Sequence, residues 1–375
     1  MRFSGNLQKT YYFNLLSDVG PVNLFHSSLF QQVDVYLQDK LIGGSNNNYA
    51  YKAMIDVLLG ENLSNKSSNL QSQLYYKDAA FGMDDPDAYL GKNFGLKQRA
   101  EYIKESRVLE LEGPLYTDIS QLSRFMLNNV DLKFVLWQSS PEFHLMCGSP
   151  GKRFRTKILN ATLNVCHVYV SPHILIAHAR VLAADHPAIY PFKRSEIKRY
   201  VVSAGSYSFS ADDVFLAQVP NQIVLAMVEA QSVAGSYSRN PFNFKHFRTN
   251  YISLQVNGEN TPSTKPLTTK FSTEKAEGTF LPGFLSLQNF KAMSKGTSND
   301  ISRLEYSSGY TMMCYDLDQM ASNDPTNVKA LSRSGNVRCE IIFDEPLETS
   351  INVIFYAQYD SEIRIDKTRS VEIIH

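Results

Sequence analysis

The residues able to do chemistry are few and poorly placed for it. Four of the eight histidines fall close together, at His167, His173, His178 and His186. A metal site needs two histidines on one strand face, or four residues apart on one helix face. His167 and His173 share strand parity, but Pro172 interrupts between them, while His173 and His178 lie five apart and diverge on a helix. They read as packing or surface histidines. The four cysteines, Cys147, Cys166, Cys314 and Cys339, form no CxxC pair and show no zinc-ligand spacing, so they read as scattered thiols. Asp84-Asp85-Pro86-Asp87 is the densest acidic group, and carboxylates suit a hard cation such as Ca²⁺, but the pattern is that of a solvated turn. Gly151-Lys152-Arg153 lacks the upstream glycine and the hydroxyl residue of a phosphate-binding loop. No GxGxxG, HExxH or GxSxG occurs. Tyr207, Phe209 and Phe215 suit core or intersubunit packing better than a ligand platform. The expectation is a non-enzyme, with no catalytic, cofactor-binding or metal-binding residues and no cofactor.

Composition points the same way. The chain has 375 residues, 43% of them hydrophobic and 20% charged, which places it among ordinary globular proteins. Aromatics reach 12%, with 22 Phe and 21 Tyr, and such residues favour pleated, half-buried surfaces. Thirty-seven basic residues balance thirty-seven acidic ones, leaving no surplus charge to neutralise phosphates. Specific nucleic-acid binding is therefore disfavoured. The opening MRFSGNLQKTYYFNLLSD has no apolar run of signal-peptide length, and no stretch approaches a membrane span. The sequons at Asn62, Asn65 and Asn160 then read as accidental. A soluble product made inside the cell is expected.

The elements that any site would need are strands, and they recur. Val33, Val35 and Leu37 alternate with Asp34, Tyr36 and Gln38; Ile252, Leu254 and Val256 alternate with Ser253, Gln255 and Asn257. Val130, Leu132, Phe134 and Leu136 are matched later by Val337, Cys339, Ile341 and Phe343. A third match sets Leu163-Asn164-Val165 against Ile351-Asn352-Val353. Three strand patterns in one order imply a duplicated β-sandwich. Between the copies, Ser171 to Ala184 has a capping serine, Pro172 in the first turn, and Ile174, Leu175, His178 and Leu182 at helical spacing. AMIDVLLG, ending at Gly60, predicts a second short helix. Polar loops are expected at Leu63–Gln73, Met83–Lys97 and Asn257–Glu277, where assembly contacts could sit on a rigid scaffold.

The copies start unequally. If the second begins near Tyr190, about 60 residues precede Ile252, whereas only 32 precede Val33. The first sandwich is therefore expected to lack about two opening strands, so that either Tyr11–Leu16 supplies a shortened replacement for the open edge or the chain is a truncated version of a longer one.

Several segments resemble the major capsid proteins of Polinton (Maverick) elements and adintovirus-like DNA viruses. They are Asp18-Val19-Gly20-Pro21-Val22-Asn23 with the following LFHSSLFQQVDVYLQDKLIGGSNNNYAY, Glu112-Gly113-Pro114-Leu115 before NNVDLKFVL, and PHILIAHARVLAA. RYVVSAGSYSF and NFKHFRTNYISLQVNGENTPS follow, and RSGNVRCEIIFDEPLETSINVIFYAQYDSEIRIDKTRSV is the most specific. The likeness runs from about Val19 to the end. It implies an all-β fold of two tandem jelly-roll sandwiches, a double jelly roll, at residues 1–186 and 187–375 with a short connecting helix. It also implies a homotrimeric, pseudo-hexagonal capsomer in an icosahedral virion, with a penton or minor capsid protein as further partner. Relatives carry more sequence before the first roll, so an N-terminally shortened or host-domesticated copy is also expected. Such a copy would act as a non-catalytic interaction or carbohydrate-binding module.

Overall fold

The alternating strands found in the sequence pair with one another in space. The computed structural model describes residues 2–10, 18–43, 46–272, 278–290, 299–317 and 333–374. Its first half runs β1 (Arg2–Thr10), β2 (Val19–Pro21), α1 (Phe25–Ser28), β3 (Phe30–Leu37), β4 (Lys40–Gly43), α2 (Tyr49–Gly60), α3 (Leu63–Lys66), α4 (Phe94–Ile103), β5 (Leu109–Pro114), β6 (Leu132–Gln138), α5 (Pro141–His144), β7 (Leu145–Cys147), β8 (Arg155–Asn164) and α6 (Pro172–Ala183). The second continues with β9 (Ala188–Val202), β10 (Ser208–Gln218), β11 (Gln222–Glu229), α7 (Ala230–Ala234), β12 (Thr249–Val256), β13 (Glu259–Asn260), β14 (Leu267–Thr268), β15 (Lys270–Phe271), β16 (Gly278–Thr279), α8 (Leu281–Gln288), α9 (Arg303–Tyr306), β17 (Met312–Asp316), β18 (Ser334–Phe343), β19 (Ile351–Ile365) and β20 (Val371–Ile374).

The second half is a two-layer sandwich in jelly-roll order. One layer is β9-β19-β11-β17, with β20 also on β19; the other is β10-β18-β12, with β13 and β14 along the outer edge of β12. Its core holds Ile252 and Leu254 against Val337, Cys339 and Ile341, with Ile223, Leu225, Val353 and Phe355 from the facing layer. On β18 the buried residues alternate with less buried ones, because only one face of that strand meets the core. β11 and the start of β19 do not alternate. Ile223, Leu225 and Met227 face the sandwich, while Val224, Ala226 and Val228 face a second core that includes Val22, Phe25 and Met54 of the first half. A sheet covered on both sides reads as a continuous apolar run, and QIVLAMV and INVIFYA do so.

The first half repeats part of this plan. β4-β3-β6 corresponds to β13-β12-β18, and β2 pairs with β7 as β11 pairs with β19. Both copies place a short helix after the strand that enters the pair, α1 after β2 and α7 after β11. Both turn back through two left-handed residues, Gln38 and Asp39 in the first and Asn257 and Gly258 in the second. That is the backbone a two-residue hairpin needs to match strand twist.

Some expectations need correction. Val33 pairs with Leu136 and Ile252 pairs with Ile341, so Leu136 corresponds to Ile341 and Leu132 to Val337. The sequence match was two residues out of register, a slip that keeps every side chain on its face. The third match fails. The strand paired with β2 is β7, whereas Leu163 lies in β8, pairs with β1 and is exposed; Ile351 and Val353 are fully buried. Asp34 is buried, held by the Gln32 side-chain amide at 2.9 Å, although alternation put it outside. The expected helix at AMIDVLLG is the end of a twelve-residue helix, α2, with ten residues buried between the halves. Leu63–Gln73 is not a loop but α3 and a 3-10 turn, Met83–Lys97 runs into α4, and Asn257–Glu277 contains β13, β14 and β15. Tyr11–Leu16 lies outside the described residues. A strand not anticipated, β1, runs antiparallel between β5 and β8.

Candidate assembly surface

The residues singled out for chemistry are scattered. His167, His173, His178 and His186 are all exposed, on the segment around α6. Cys147, Cys314 and Cys339 are buried and Cys166 is exposed; all are free thiols. Burial pushes the thiols of Cys314 and Cys339 well up, so they stay protonated and unreactive. The Asp84–Asp87 carboxylates are engaged by the protein itself. Asp84 pairs with Lys245 at 2.7 Å and accepts from Asn240 and Asn243; Asp85 and Asp87 accept backbone N–H groups of Lys92 and Leu90. The group braces a loop against the second half. Among the described residues there is no group of three or more His, Cys, Asp or Glu that could hold a metal ion. Phe215 is buried and Phe209 packs on Tyr200 and Phe355, while Tyr207 is exposed.

What the sequence did not reveal is a seam of buried charge between the halves. Arg99, on α4, donates from Nε to the Pro21 carbonyl at 2.8 Å and from Nη2 to Asp78 at 2.6 Å. Asn240 of the second half donates to the other oxygen of Asp78. Lys52, on α2, lies 2.8 Å from Asp56 and 3.3 Å from Asp118. Asp118 accepts from the Ser195 N–H on β9, and Asp56 accepts from the Tyr356 hydroxyl on β19 at 2.9 Å. Lys66 pairs with Asp300, and Lys77 reaches both Asp300 and Glu305. Burial would push the Asp300 carboxyl up, but Lys66 and Lys77 hold it below the usual range. His246 stacks on Phe271 at 4.2 Å; burial, with Arg248, pulls its pKa down to about 4. Hydrogen bonds from Asn240, Ser195 and Tyr356 tie the second half to this seam.

The surface tells more. From Leu159 to Val181 every described residue is exposed, and the run carries Val168, Tyr169, Ile174, Leu175, Ile176 and Val181. Tyr169 is 99% exposed and Ile176 51%, and of all α6 only Leu182 is buried. The predicted helix is present, with Pro172 in its first turn, but Ser171 makes no side-chain cap bond and the apolar residues face outward. A helix apolar on most of its circumference is stable only when something covers it. Contiguous exposed apolar patches are a general mark of interaction surfaces. No helix among the described residues is long and apolar enough to cross a membrane.

No protein-family model matches the chain. It is similar to an uncharacterized protein of Caenorhabditis elegans, 22% identical over 358 residues, covering 93% of this chain and 80% of that protein. In structure it resembles a chain of the Sputnik virophage, with TM-score 0.58, 11% identity, and 99% of this chain and 80% of that one covered. The Faustovirus major capsid protein gives TM-score 0.55 at 8% identity over 96% of this chain and 79% of its own. A chain of the PBCV-1 virus capsid gives 0.53 at 11% identity, covering 100% and 89%. The fold is therefore an all-β double jelly roll, the fold of viral major capsid proteins.

Proposed function

We propose that this chain is a structural, non-catalytic subunit of an icosahedral viral capsid, forming trimeric pseudo-hexagonal capsomers. The observation that carries the reading is a likeness in fold that spans 96–100% of the chain against viral capsid structures. Two tandem rolls, divided here at 186 and 187, give a trimer six similar towers, which suits a near-hexagonal lattice. The exposed apolar run around α6 supplies a surface whose burial would drive association. A second copy is the main partner, with a penton or minor capsid protein beyond it and no specific nucleic acid. The site of action is the virion, after synthesis as a soluble intracellular protein, and the source is a Polinton-type element.

The similarity to a nematode protein favours a second reading, a copy retained by an animal host as a non-catalytic interaction or carbohydrate-binding module. Light scattering on the purified full chain separates the two. A trimer, with hexagonal particles or shells in negative stain, is expected. A chain that stays monomeric across salt and pH overturns the capsid reading, and a defined glycan or protein ligand would then establish the second.

A further inference from the structure

One layer of the second sandwich ends at β17; the other ends at β12, with β13 and β14 along it. α8 spans the two edges, touching β14 and β17. Beneath it lies a cavity of about 310 Å³, at the lower end of the range for small-molecule sites, about 300–1,000 Å³. Ile252 and Leu254 of β12, Leu267 of β14 and Pro282 of α8 give it apolar walls. Those walls are held in place by the protein itself. The connection from β13 to β14 is tied to β12 at both ends: the Thr261 N–H donates to the Leu254 carbonyl at 3.0 Å, and the Thr269 N–H to the Asn250 carbonyl at 2.9 Å. The Cys314 N–H of β17 donates to the Ser286 hydroxyl of α8 at 3.2 Å.

Two polar side chains of the same cavity lack partners. Tyr315 is 8% exposed, and its buried hydroxyl has no hydrogen-bond partner among the described residues. An unpaired buried hydroxyl is costly, so such a group points to something that pairs it. Burial also keeps that hydroxyl protonated, and so able to donate. Lys265 is exposed at the rim and makes no ion pair among the described residues.

We propose that this cavity binds a compact alkyl or aryl monocarboxylate. The apolar body packs against Ile252, Leu254, Leu267 and Pro282, where its burial supplies affinity. The carboxylate accepts from the Tyr315 hydroxyl and the Lys265 ammonium. Both donors line one small cavity, so a single headgroup meets both. A hydrocarbon would leave the hydroxyl unpaired and the lysine unanswered, whereas a small anion without a body would leave the apolar walls bare. The binding site goes beyond the assembly role and is independent of it.

Isothermal titration calorimetry of the full chain tests it, with sodium octanoate below its micellar range as probe. One saturable site per chain is expected. Acetate, which lacks the body, and 1-octanol, which lacks the charge, should each bind at least about tenfold more weakly. Lys265→Glu, at an exposed position that leaves the fold intact, should weaken octanoate binding by about tenfold or more. Tyr315→Phe should weaken it by about threefold to tenfold, with the thermal unfolding of the free variant matching the parent. Three outcomes overturn the proposal: no saturable heat, which leaves water as the hydroxyl's partner; octanol binding as tightly as octanoate; or an octanoate affinity unchanged in either variant.

Discussion

Arg99 has no contact with solvent, and its guanidinium is met by Asp78 and by the carbonyls of Pro21 and Tyr76. Such a group contributes little when intact and costs much when broken, because its partner is left charged and dry. Arg99→Met should therefore lower stability by about 3–5 kcal/mol, read as a shift in the urea unfolding midpoint with unchanged slope. Asp300 gives a pH-dependent counterpart. Its carboxyl is held below the usual range by Lys66 and Lys77 against the effect of burial. The stability it contributes is present above the unfolded-state value of about 3.9 and lost as pH falls through the depressed native one. Asp300→Asn should flatten the decline in unfolding free energy below about pH 4; a variant whose acid profile overlays the parent would mean the charge has no such role.

Element by element, legibility in sequence follows how many faces a strand buries. β12 and β18 announced themselves because one face is buried and the period is two; β11 did not, because both its faces are covered. The paired strands were legible while their register was not, since a two-residue slip leaves the pattern intact. The hairpin at Asn257-Gly258 has the favoured turn residues, but its counterpart Gln38-Asp39 does not, so the second copy's turn gave no letter match. α6 was legible from Pro172 and its spacing; its exposure was not, because an apolar helix reads the same whether its cover lies in this chain or another. The unequal burial of equivalent strands has a measurable consequence. Ile341→Ala removes packing at a fully buried site and should cost about 2–5 kcal/mol. Leu136→Ala, at the matching half-exposed position, should cost less than half as much in the same denaturation assay.

At the scale of the whole molecule, the sheet β9-β19-β11-β17 belongs to two cores at once, and β9, β19 and β20 meet β3 and β4 in a third. Neither half can lose its packing without uncovering apolar surface on the other. Calorimetry should show one unfolding transition, with calorimetric and van't Hoff enthalpies equal; two resolved transitions would separate the rolls. One surface that this shared core leaves open lies around α6, where Ile174 and Val181 lie two turns apart on one face. Both are exposed, so Ile174→Glu with Val181→Glu should change monomer stability by no more than about 0.5 kcal/mol per site. In an assembly that buries that face, the same two carboxylates lose hydration without gaining a partner, a cost of several kcal/mol. The double variant should therefore unfold as the parent does and sediment as a monomer at concentrations where the parent associates. Equal association of variant and parent would place the contact elsewhere on the chain.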